Sequence, residues 1–288
     1  MRLARYDVDG ESQLFADGGG GWVKLWVDDV RSLLAQGADG HRRLEEAARQ
    51  ASADSGPPAG ARVLAPLIDP GKMIFVGGNY RDALEALPPE VQAKFRTDEP
   101  MVFAKLPSSI IGPGDAVELP PAEESSLDYE GELAVVIGRR GRHLTRENAL
   151  DYIFGYTILN DISDRQLQHK LQQPTLGKGM DTFCPMGPVI VLQDEIPSPE
   201  GLEVSTRVNG EIRQTGNTDN LIFTIPDILF HVSKYVTLEP GDIISTGTPG
   251  GIAMLQTPPP YMHAGDTVVV EIAGIGRLEN HIVATAAV

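Results

Sequence analysis

The chain has 288 residues, of which 41% are apolar and 22% are charged, a composition typical of a folded protein with a sizeable core. Its 40 acidic and 24 basic residues give a formal charge of −16 at pH 7, which argues against nucleic acid or an anionic membrane as the main partner. Cys184 is the only cysteine in the sequence, which excludes a disulfide within the chain and a thiolate zinc cluster.

The start of the chain, MRLARYDVDGES, is too polar for a secretory signal peptide. No apolar run approaches the roughly 20 residues of a membrane-spanning helix. These features predict a cytoplasmic protein whose partners include neither a membrane nor nucleic acid.

The first 69 residues predict a small α/β domain. Weak alternation indicates strands around turns in RLARYDV, SQLFA and GWVKLWV. Apolar and alanine positions at helical spacing indicate helices in DDVRSLLAQG and HRRLEEAARQA, and either Asp28 or Asp29 is a candidate cap of the first. A Gly- and Pro-rich loop follows at 55–62, so we predict two domains, 1–69 and 70–288.

Residues 70–288 predict a structure rich in strands. KMIFVGGNY is a strand that ends in a glycine turn, and the helical pattern after it, at 81–95, is interrupted by Pro88-Pro89. Asn209-Gly210 between two strand patterns indicates a hairpin, and 226–236 indicates a helix. Further strands are predicted in MVFAKLPSSII, AVELP, ELAVVIG, YIFGYTILND, GPVIVL, DIISTG and TVVVEIAG. Because strands and helices do not alternate regularly, the sequence predicts the α+β class and argues against a doubly wound parallel sheet.

Three carboxylates precede one of these apolar strands, in SSLDYEGELAVVI at 125–137. If the strand begins by residue 128, Asp128, Glu130 and Glu132 share one face, because side chains two apart in a strand do so. Such acids are rarely buried unless they are paired or bind a metal. The segment by itself favours a solvated strand edge, and a cation among the acids is the alternative.

Asp161 is the best candidate for a further ligand, because it directly follows the apolar strand YTILN. Mg²⁺ prefers carboxylate oxygens and needs ligands from more than one side. The alternative is that Asp161 caps the turn that follows it. Two glycine-rich segments complete the list: LGKGMDTFCPMGP with Lys178 between glycines, and ISTGTPGG at 244–251, which lacks the GK[ST] order of a phosphate loop.

Five motifs in this order resemble those of the fumarylacetoacetate hydrolase family: DYEGEL, LNDISDRQLQ, LGKGMDTFCPMGP, VNGEIRQTGNT and ISTGTPGG. The resemblance extends over about residues 70 to 288, and the first 69 residues resemble a small extra domain found in some members. It implies a mixed β-sandwich roll with few helices, usually assembled as a homodimer.

The resemblance also implies a set of site residues. Glu130, Glu132 and Asp161 match the ligands of Mg²⁺, or of Mn²⁺ or Ca²⁺. Lys178 matches a catalytic lysine. Substrate binding is implied for four residues: Tyr80, Arg165, Gln168 and Thr248. The substrates of the family are 2-oxo acids and 1,3-dicarbonyl carboxylates, so we expect a small carboxylate as partner. Asp128 lies outside this set, and we expect it to be exposed.

The chain departs from the family in its lid, GGNYRDALEALPPE. The water-activating His and Glu of the family are replaced by Ala83 and Ala86, and a methyl group cannot exchange a proton. Asp82 and Glu85 are three apart and can face a cleft together if the segment is helical, so both are candidate catalytic carboxylates. The alternatives are chemistry that needs no activated water, and a non-catalytic metal- or ligand-binding homologue.

These observations predict a divalent-metal enzyme that acts on a 2-oxo acid or a 1,3-dicarbonyl carboxylate. Hydrolytic cleavage of a C–C bond through an enolate, as in acylpyruvases, is the first expectation. A decarboxylase, a keto–enol tautomerase or isomerase, or a dehydratase that uses the same metal site is the alternative.

Overall fold

The computed structural model describes residues 1–52, 56–92, 98–120 and 126–285. Its strands are β1 Arg2–Val8, β2 Glu11–Asp17, β3 Trp22–Lys24, β4 Arg62–Leu64, β5 Met73–Gly77, β6 Met101–Lys105, β7 Ile110–Ile111, β8 Ala116–Glu118, β9 Leu127–Asp128, β10 Gly131–Ile137, β11 Ile153–Asn160, β12 Ser163–Asp164, β13 Cys184–Leu192, β14 Glu203–Val208, β15 Glu211–Asn217, β16 Ile243–Ser245, β17 Thr267–Ile272 and β18 Gly276–Val283.

The α-helices are α1 Val30–Leu34, α2 Gly37–Arg49, α3 Arg81–Glu85, α4 Pro89–Gln92, α5 Arg165–Leu171, α6 Pro174–Gly179 and α7 Ile225–Tyr235. Short 3₁₀ turns cover Pro107–Ser109, Ala149–Tyr152, Thr218–Asn220 and Ala253–Leu255. Among the described residues, no helix combines the length and the apolar character that crossing a lipid bilayer requires.

Two sheets and a short ribbon make up the fold. The large sheet has the order β3-β2-β1-β13-β11-β10-β16-β5-β6, with β4 beside β1 and β7 beside β13. The second sheet has the order β15-β14-β17-β18-β8, and β9 pairs with β12 in the ribbon. Most pairs are antiparallel, but β16 and β5 are parallel, as are β7 with β13 and β8 with β18. The predicted α+β class, rich in strands, is confirmed.

Strand β10 lies at the centre of the large sheet and is buried along its whole length. Alternate residues face two different cores, as the two-residue period of a strand requires. Leu133, Val135 and Ile137 pack toward the second sheet and α7. Ala134 and Val136 pack on the other face, in the core that includes Leu33 and Leu44 of α1 and α2. This burial on two faces explains why the strand reads as a continuous apolar run.

The N-terminal strands extend the large sheet. Arg2 and Leu3 of β1 pair with Val191 and Ile190 of β13. The boundary near residue 69 therefore separates two sequence segments that share a sheet, and the division into domains 1–69 and 70–288 stays a prediction.

Several local predictions are confirmed. Asp29 caps α1, because its side chain accepts a hydrogen bond from the backbone N–H of Ser32. Asn209 and Gly210 both have positive φ, 51° and 82°, as expected for a two-residue hairpin of the primed type. Of the helical pattern at 81–95, α3 and α4 are present and residues 93–95 lie outside the described residues. Strand β18, in GRLENHIV, was not predicted.

Candidate metal centre and active site

The three predicted metal ligands meet where β10 begins and its neighbour β11 ends. Strands β10 and β11 are antiparallel and pair Gly131 with Asn160. This register brings Glu130, just before β10, beside Asp161, just after β11, and the N–H of Asp161 donates to the carbonyl of Glu130 over 2.8 Å. Glu132 is two residues further along β10. One carboxylate oxygen from each residue lies within 4.8 Å of the others, and all three residues are buried.

The charges of this triad suit a divalent cation. Burial by itself disfavours ionisation of Glu130, but Arg165 and Lys178 outweigh it and lower the pKa of that carboxyl to about 2. The pKa of Glu132 is raised well above its ordinary value by burial and then by the charges of Asp161 and Glu130. Three carboxylates brought together in the interior supply hard oxygen ligands, which fits Mg²⁺ or Mn²⁺.

Lys178 lies directly on the triad. Its Nζ atom donates to Oε2 of Glu130 over 2.7 Å and to Oδ2 of Asp161 over 2.6 Å. Burial favours the neutral amine, but the charges of Asp161 and Glu130 reverse this effect and raise the lysine pKa. Gly177 allows this position: a Cβ atom there would clash with the side chain of Gln168, so only glycine lets α6 pack so closely on α5. The structure therefore brings the predicted catalytic lysine to the predicted metal ligands.

Arg165, at the start of α5, joins the same cluster. Its Nη2 atom contacts Oε1 of Glu130, and its Nε atom donates to Oδ2 of Asp128 over 2.9 Å. Its Nη1 atom donates to Oε1 of Gln168 over 3.1 Å. Arg165 and Gln168 both line the cavity described below, which is where a substrate-binding pair must lie.

Asp128 is fully buried, so the expectation that it is exposed is wrong. The predicted strand does not run unbroken from 128 either, because β9 ends at Asp128 and β10 begins at Gly131. The Asp128 carboxylate accepts from Arg165 and from the backbone N–H groups of Tyr129, Ala253 and Met254, over 2.9, 2.7 and 3.2 Å. Its charge is thus satisfied by an arginine and three backbone donors, with no need for water.

Thr248 also lines the cavity. Its hydroxyl donates to the carbonyl of Gly131 over 3.0 Å and accepts from Nε2 of Gln214 over 2.8 Å. Gln214, which sequence reasoning missed, also accepts from the N–H of Gly131 through Oε1 over 3.0 Å. This buried amide therefore connects the TGTP loop to the strand that carries two of the predicted metal ligands.

Two further residues beside the triad were missed. Lys105, at the end of β6, is buried and donates to Oδ1 of Asp161 over 2.6 Å. Ser245 in β16 donates from Oγ to Oε2 of Glu132. The sequence contains one sign of the role of Lys105. This lysine ends the apolar strand MVFAK, and a charge that is buried with such a strand needs a buried partner.

The structure does not bring the lid carboxylates to the cavity. Asp82 accepts from Nδ2 of Asn220 over 2.8 Å and from the N–H of Gly250 over 3.1 Å. Glu85 is exposed, and neither residue is among those that line the cavity. Helix α3 is only one turn and a half long, and its buried side carries Ala83. The catalytic role of Asp82 and Glu85 stays a prediction that this placement does not support.

Tyr80 begins the lid and is fully buried. It is not among the residues that line the cavity, and its hydroxyl group has no hydrogen-bond partner among the described residues. Burial, and then the charges of Glu132 and Asp82, raise its pKa. Its predicted part in substrate binding therefore stays a prediction.

A cavity of about 720 Å³ is lined by two members of the triad, Glu130 and Glu132. The floor includes Glu130, Glu132, Arg165 and Lys178. The outer wall is largely apolar and comes from the lid, the edge strand β6 and the loop after the TGTP motif: Ala83, Leu84, Leu87, Met101, Val102, Phe103, Ile252, Met254 and Leu255. The cavity thus combines a few charged groups with a largely apolar wall, as in many small-molecule sites. Its other polar lining residues are Gln168, Gln172, Gln173, Thr175 and Thr248.

Comparison with known proteins identifies related sequences and folds. The model of the fumarylacetoacetate (FAA) hydrolase C-terminal family matches residues 72–283. The oxaloacetate tautomerase YisK of Bacillus subtilis (strain 168) is 48% identical over 219 residues, which are 76% of this chain and 72% of that protein.

Two solved structures are similar along nearly the whole chain. A fumarylacetoacetate hydrolase from the psychrophile Exiguobacterium antarcticum has a TM-score of 0.84 and 37% identity, and the match covers 99% of this chain and all of that one. A maleylpyruvate hydrolase from Sphingobium sp. SYK-6, in complex with a manganese(II) ion and pyruvate, has a TM-score of 0.79 and 30% identity, with 99% and 100% coverage.

Proposed function

Because the chain belongs to the fumarylacetoacetate hydrolase family of enzymes, we propose that it interconverts the keto and enol forms of a small 2-oxo carboxylate, with a divalent metal ion. This reverses the order of the two reactions predicted from the sequence, in which hydrolysis came first.

The observation that carries this proposal is the set of groups able to exchange protons in the cavity. Among the described lining residues there is no histidine, and the carboxylates Glu130 and Glu132 belong to the triad. The lid contributes Ala83 there, while Asp82 and Glu85 do not line the cavity. Hydrolysis needs a base that activates water. A keto–enol conversion only needs a proton to move between the carbon next to a carbonyl group and the oxygen of that carbonyl. Lys178 is the group placed to carry this proton.

The side chains that line the cavity have different roles toward the substrate. Arg165 and Gln168 line the cavity from α5, and Thr248 lines it from the TGTP loop. An arginine suits a carboxylate because its planar group offers several donors at once. Lys178 is nine-tenths buried or more, so its ammonium group can donate to a keto oxygen without competition from water.

The metal would be held by Glu130, Glu132 and Asp161. When bound, a divalent cation would polarise the keto oxygen of the substrate and offset the negative charge of the enolate form. The manganese and pyruvate in the similar maleylpyruvate hydrolase support both a cation and a 2-oxo carboxylate at this fold. Mg²⁺ and Mn²⁺ are therefore the metals to test first.

Hydrolytic C–C cleavage is the second candidate. It is supported by the hydrolase from Exiguobacterium antarcticum, which is 37% identical over nearly the whole chain. If this reaction occurs, its water-activating group lies outside the described cavity lining, or the lid moves to bring Asp82 or Glu85 in. Homodimer formation and a cytoplasmic location stay predictions.

The test is an assay of three reactions on one metal-loaded preparation. Ketonisation of enol-oxaloacetate is followed by its ultraviolet absorbance with Mg²⁺ or Mn²⁺ and again with excess EDTA, and acylpyruvate cleavage and oxaloacetate decarboxylation are measured in parallel. We expect metal-dependent ketonisation that exceeds both other reactions. Acylpyruvate cleavage faster than ketonisation would favour the hydrolase hypothesis. Bound metal with no turnover of any substrate would favour the hypothesis of a non-catalytic homologue.

A further inference from the structure

Each carboxylate of the triad has one oxygen held by a neighbouring side chain. Lys105 holds Oδ1 of Asp161, Arg165 holds Oε1 of Glu130, and Ser245 holds Oε2 of Glu132. The second oxygens of Asp161 and Glu130 both point at Nζ of Lys178, over 2.6 and 2.7 Å. In both Asp161 and Glu130, one oxygen is thus held by an anchoring side chain and the other bonds to Lys178.

Lys105 is the more deeply buried of the two charged anchors, Lys105 and Arg165. Its side chain is 0% exposed, as is that of Asp161. Besides Asp161, its Nζ atom donates to the carbonyl of Phe183 over 2.6 Å and to that of Ile162 over 3.2 Å. An ammonium group has three donors, and here all three are used. Lys105 does not line the cavity, so it cannot touch a substrate there.

These contacts fix the direction of the ammonium group. The two carbonyl groups belong to the backbone, one just after Asp161 and the other just before β13, so they do not rotate with a side chain. An ammonium that they hold in place presents its remaining hydrogen to Oδ1 of Asp161 alone. A residue needed only for packing would not have to satisfy three acceptors in the protein interior.

We propose that Lys105 is a positioning residue: it holds Oδ1 of Asp161 by a hydrogen bond, so that only the other oxygen of this carboxylate can bind the metal. The inference rests on the proposed metal site. It explains why a lysine, and not an apolar residue, ends the otherwise apolar strand β6. Groups that hold the ligands of a metal in this way commonly change metal affinity by about 10- to 100-fold when they are removed.

One consequence concerns the choice of metal. Ca²⁺ takes six to eight oxygens and often binds both oxygens of a carboxylate, whereas Mg²⁺ accepts fewer and usually keeps several waters. A triad whose members each offer a single oxygen therefore favours the smaller cations. Loss of Lys105 frees Oδ1, which removes part of the discrimination against Ca²⁺.

The experiment compares the metal affinities of Lys105→Met and the unmodified protein. The Mn²⁺ affinity is measured by titration, with free Mn²⁺ followed by electron paramagnetic resonance. The Ca²⁺ affinity is measured by competition with bound Mn²⁺. We expect Mn²⁺ binding to weaken about 10- to 100-fold and the ratio of Mn²⁺ to Ca²⁺ affinity to fall. A general loss of stability would not change that ratio, so the readout separates positioning from packing.

Lys72→Met is the matched control. Lys72 forms a similar pair, with Nζ 2.5 Å from Oδ2 of the fully buried Asp242, and neither residue lines the cavity. This variant removes the same charge and breaks an ion pair on the same sheet, and we expect unchanged Mn²⁺ affinity and an unchanged ratio.

Three results would overturn the inference. Lys105→Met with the affinity and ratio of the unmodified protein would refute the role of Lys105 while leaving the metal site intact. Absence of Mn²⁺ binding by the unmodified protein would refute the proposed site itself. If Lys105→Met does not fold, a crystal structure of the unmodified protein with Mn²⁺ decides: one Asp161 oxygen on the metal supports the inference, and two oxygens refute it.

Discussion

Arg165 donates from Nε to Oδ2 of Asp128 over 2.9 Å, and the two side chains are only 11% and 0% exposed. The same carboxylate accepts from the N–H groups of Ala253 and Met254, which belong to the loop that forms part of the cavity wall. Asp128 therefore connects three parts of the candidate site: the strand that leads to the proposed metal ligands, the start of α5, and the wall of the cavity.

Replacing Asp128 by Asn is expected to destabilise the protein by about 3 kcal/mol, because it breaks a buried ion pair and leaves Arg165 with Glu130 as its remaining carboxylate partner. The asparagine amide also places a donor where the structure needs acceptors. Urea unfolding measures the change. The control is Glu239→Gln, which breaks the exposed pair of Arg140 and Glu239, 72% and 44% exposed, and is expected to cost less than about 1 kcal/mol. Equal costs for the two variants would contradict the role given to Asp128.

Glu132→Gln tests the electrostatics of the triad. The substitution removes one of three neighbouring negative charges and keeps an oxygen that can accept from Ser245. Without metal, we expect a higher melting temperature than that of the unmodified protein. With Mn²⁺ at about 100 times its dissociation constant, the unmodified protein gains about 2.7 kcal/mol, and the variant is expected to gain little.

Differential scanning fluorimetry with and without Mn²⁺ measures both effects. Glu203→Gln, at an exposed position in β14, controls for the loss of one negative charge and should respond to the metal like the unmodified protein. A Glu132→Gln protein that is stabilised by Mn²⁺ as strongly as the unmodified protein would exclude Glu132 from the ligand set.

Lys178→Met is expected to separate metal binding from turnover. Loss of the amine removes the proton carrier, so ketonisation should slow by about 10²- to 10⁴-fold. Unlike Lys105, which holds Oδ1 of Asp161, Lys178 bonds to Oδ2 of Asp161 and Oε2 of Glu130, the oxygens left for the proposed metal. Loss of Lys178 frees these two oxygens, so Mn²⁺ should bind more tightly. The control Lys170→Met, at an exposed position of α5, should change neither quantity. Unchanged ketonisation by Lys178→Met would remove Lys178 from the mechanism.

The double variant Ala83→His with Ala86→Glu tests the lid. Ala83 is 9% exposed and lines the cavity, so an imidazole at this position is expected to reach the cavity, while Glu at the exposed position 86 can support it from the next turn. We expect a gain of acylpyruvate cleavage, measured by the loss of substrate absorbance. Ala86→Glu alone should give none, because the base is missing. No gain in a folded, metal-binding double variant would mean that the rest of the cavity is not suited to hydrolysis.

Asp227→Asn tests a pH-dependent contribution outside the site. Burial would raise the pKa of Asp227, but hydrogen bonds from Thr224 and contact with Arg146 lower it below the ordinary value of 3.8. A carboxylate with a lowered pKa stabilises the folded state above its unfolded pKa, and this contribution is lost as pH falls through the folded value.

The Asp227→Asn variant should therefore cost about 1 kcal/mol at pH 7, as the capping box of α7 is weakened, and the cost should shrink toward pH 3. Urea unfolding at a series of pH values measures this trend. Asp219→Asn, at an exposed residue, is the control. A cost that does not depend on pH would show that the charge of Asp227 does not contribute.

Local sequence determined much of the architecture. Alternation and apolar runs predict β1, β10 and β11 closely, since the side chains of a strand take opposite faces whatever the rest of the chain does. Asn209-Gly210 predicts its hairpin because few other residues adopt positive φ at two successive positions. The three proposed metal ligands were identified from acids two apart, an acid that ends a neighbouring strand, and the order of the family motifs, and the fold brings these acids together.

Tertiary structure alone decided which polar side chains are buried together. Asp128 looked like an exposed acid, but its donors at 253 and 254 are more than a hundred positions away in the chain. Lys105 is 56 residues from Asp161, and Asp82 is directed away from the cavity by Asn220 and Gly250. Periodicity specifies the face on which a side chain lies. The partner of a side chain and its degree of desolvation depend on which distant strands and loops the fold brings to that face. Partner and desolvation together decide the chemistry of the side chain.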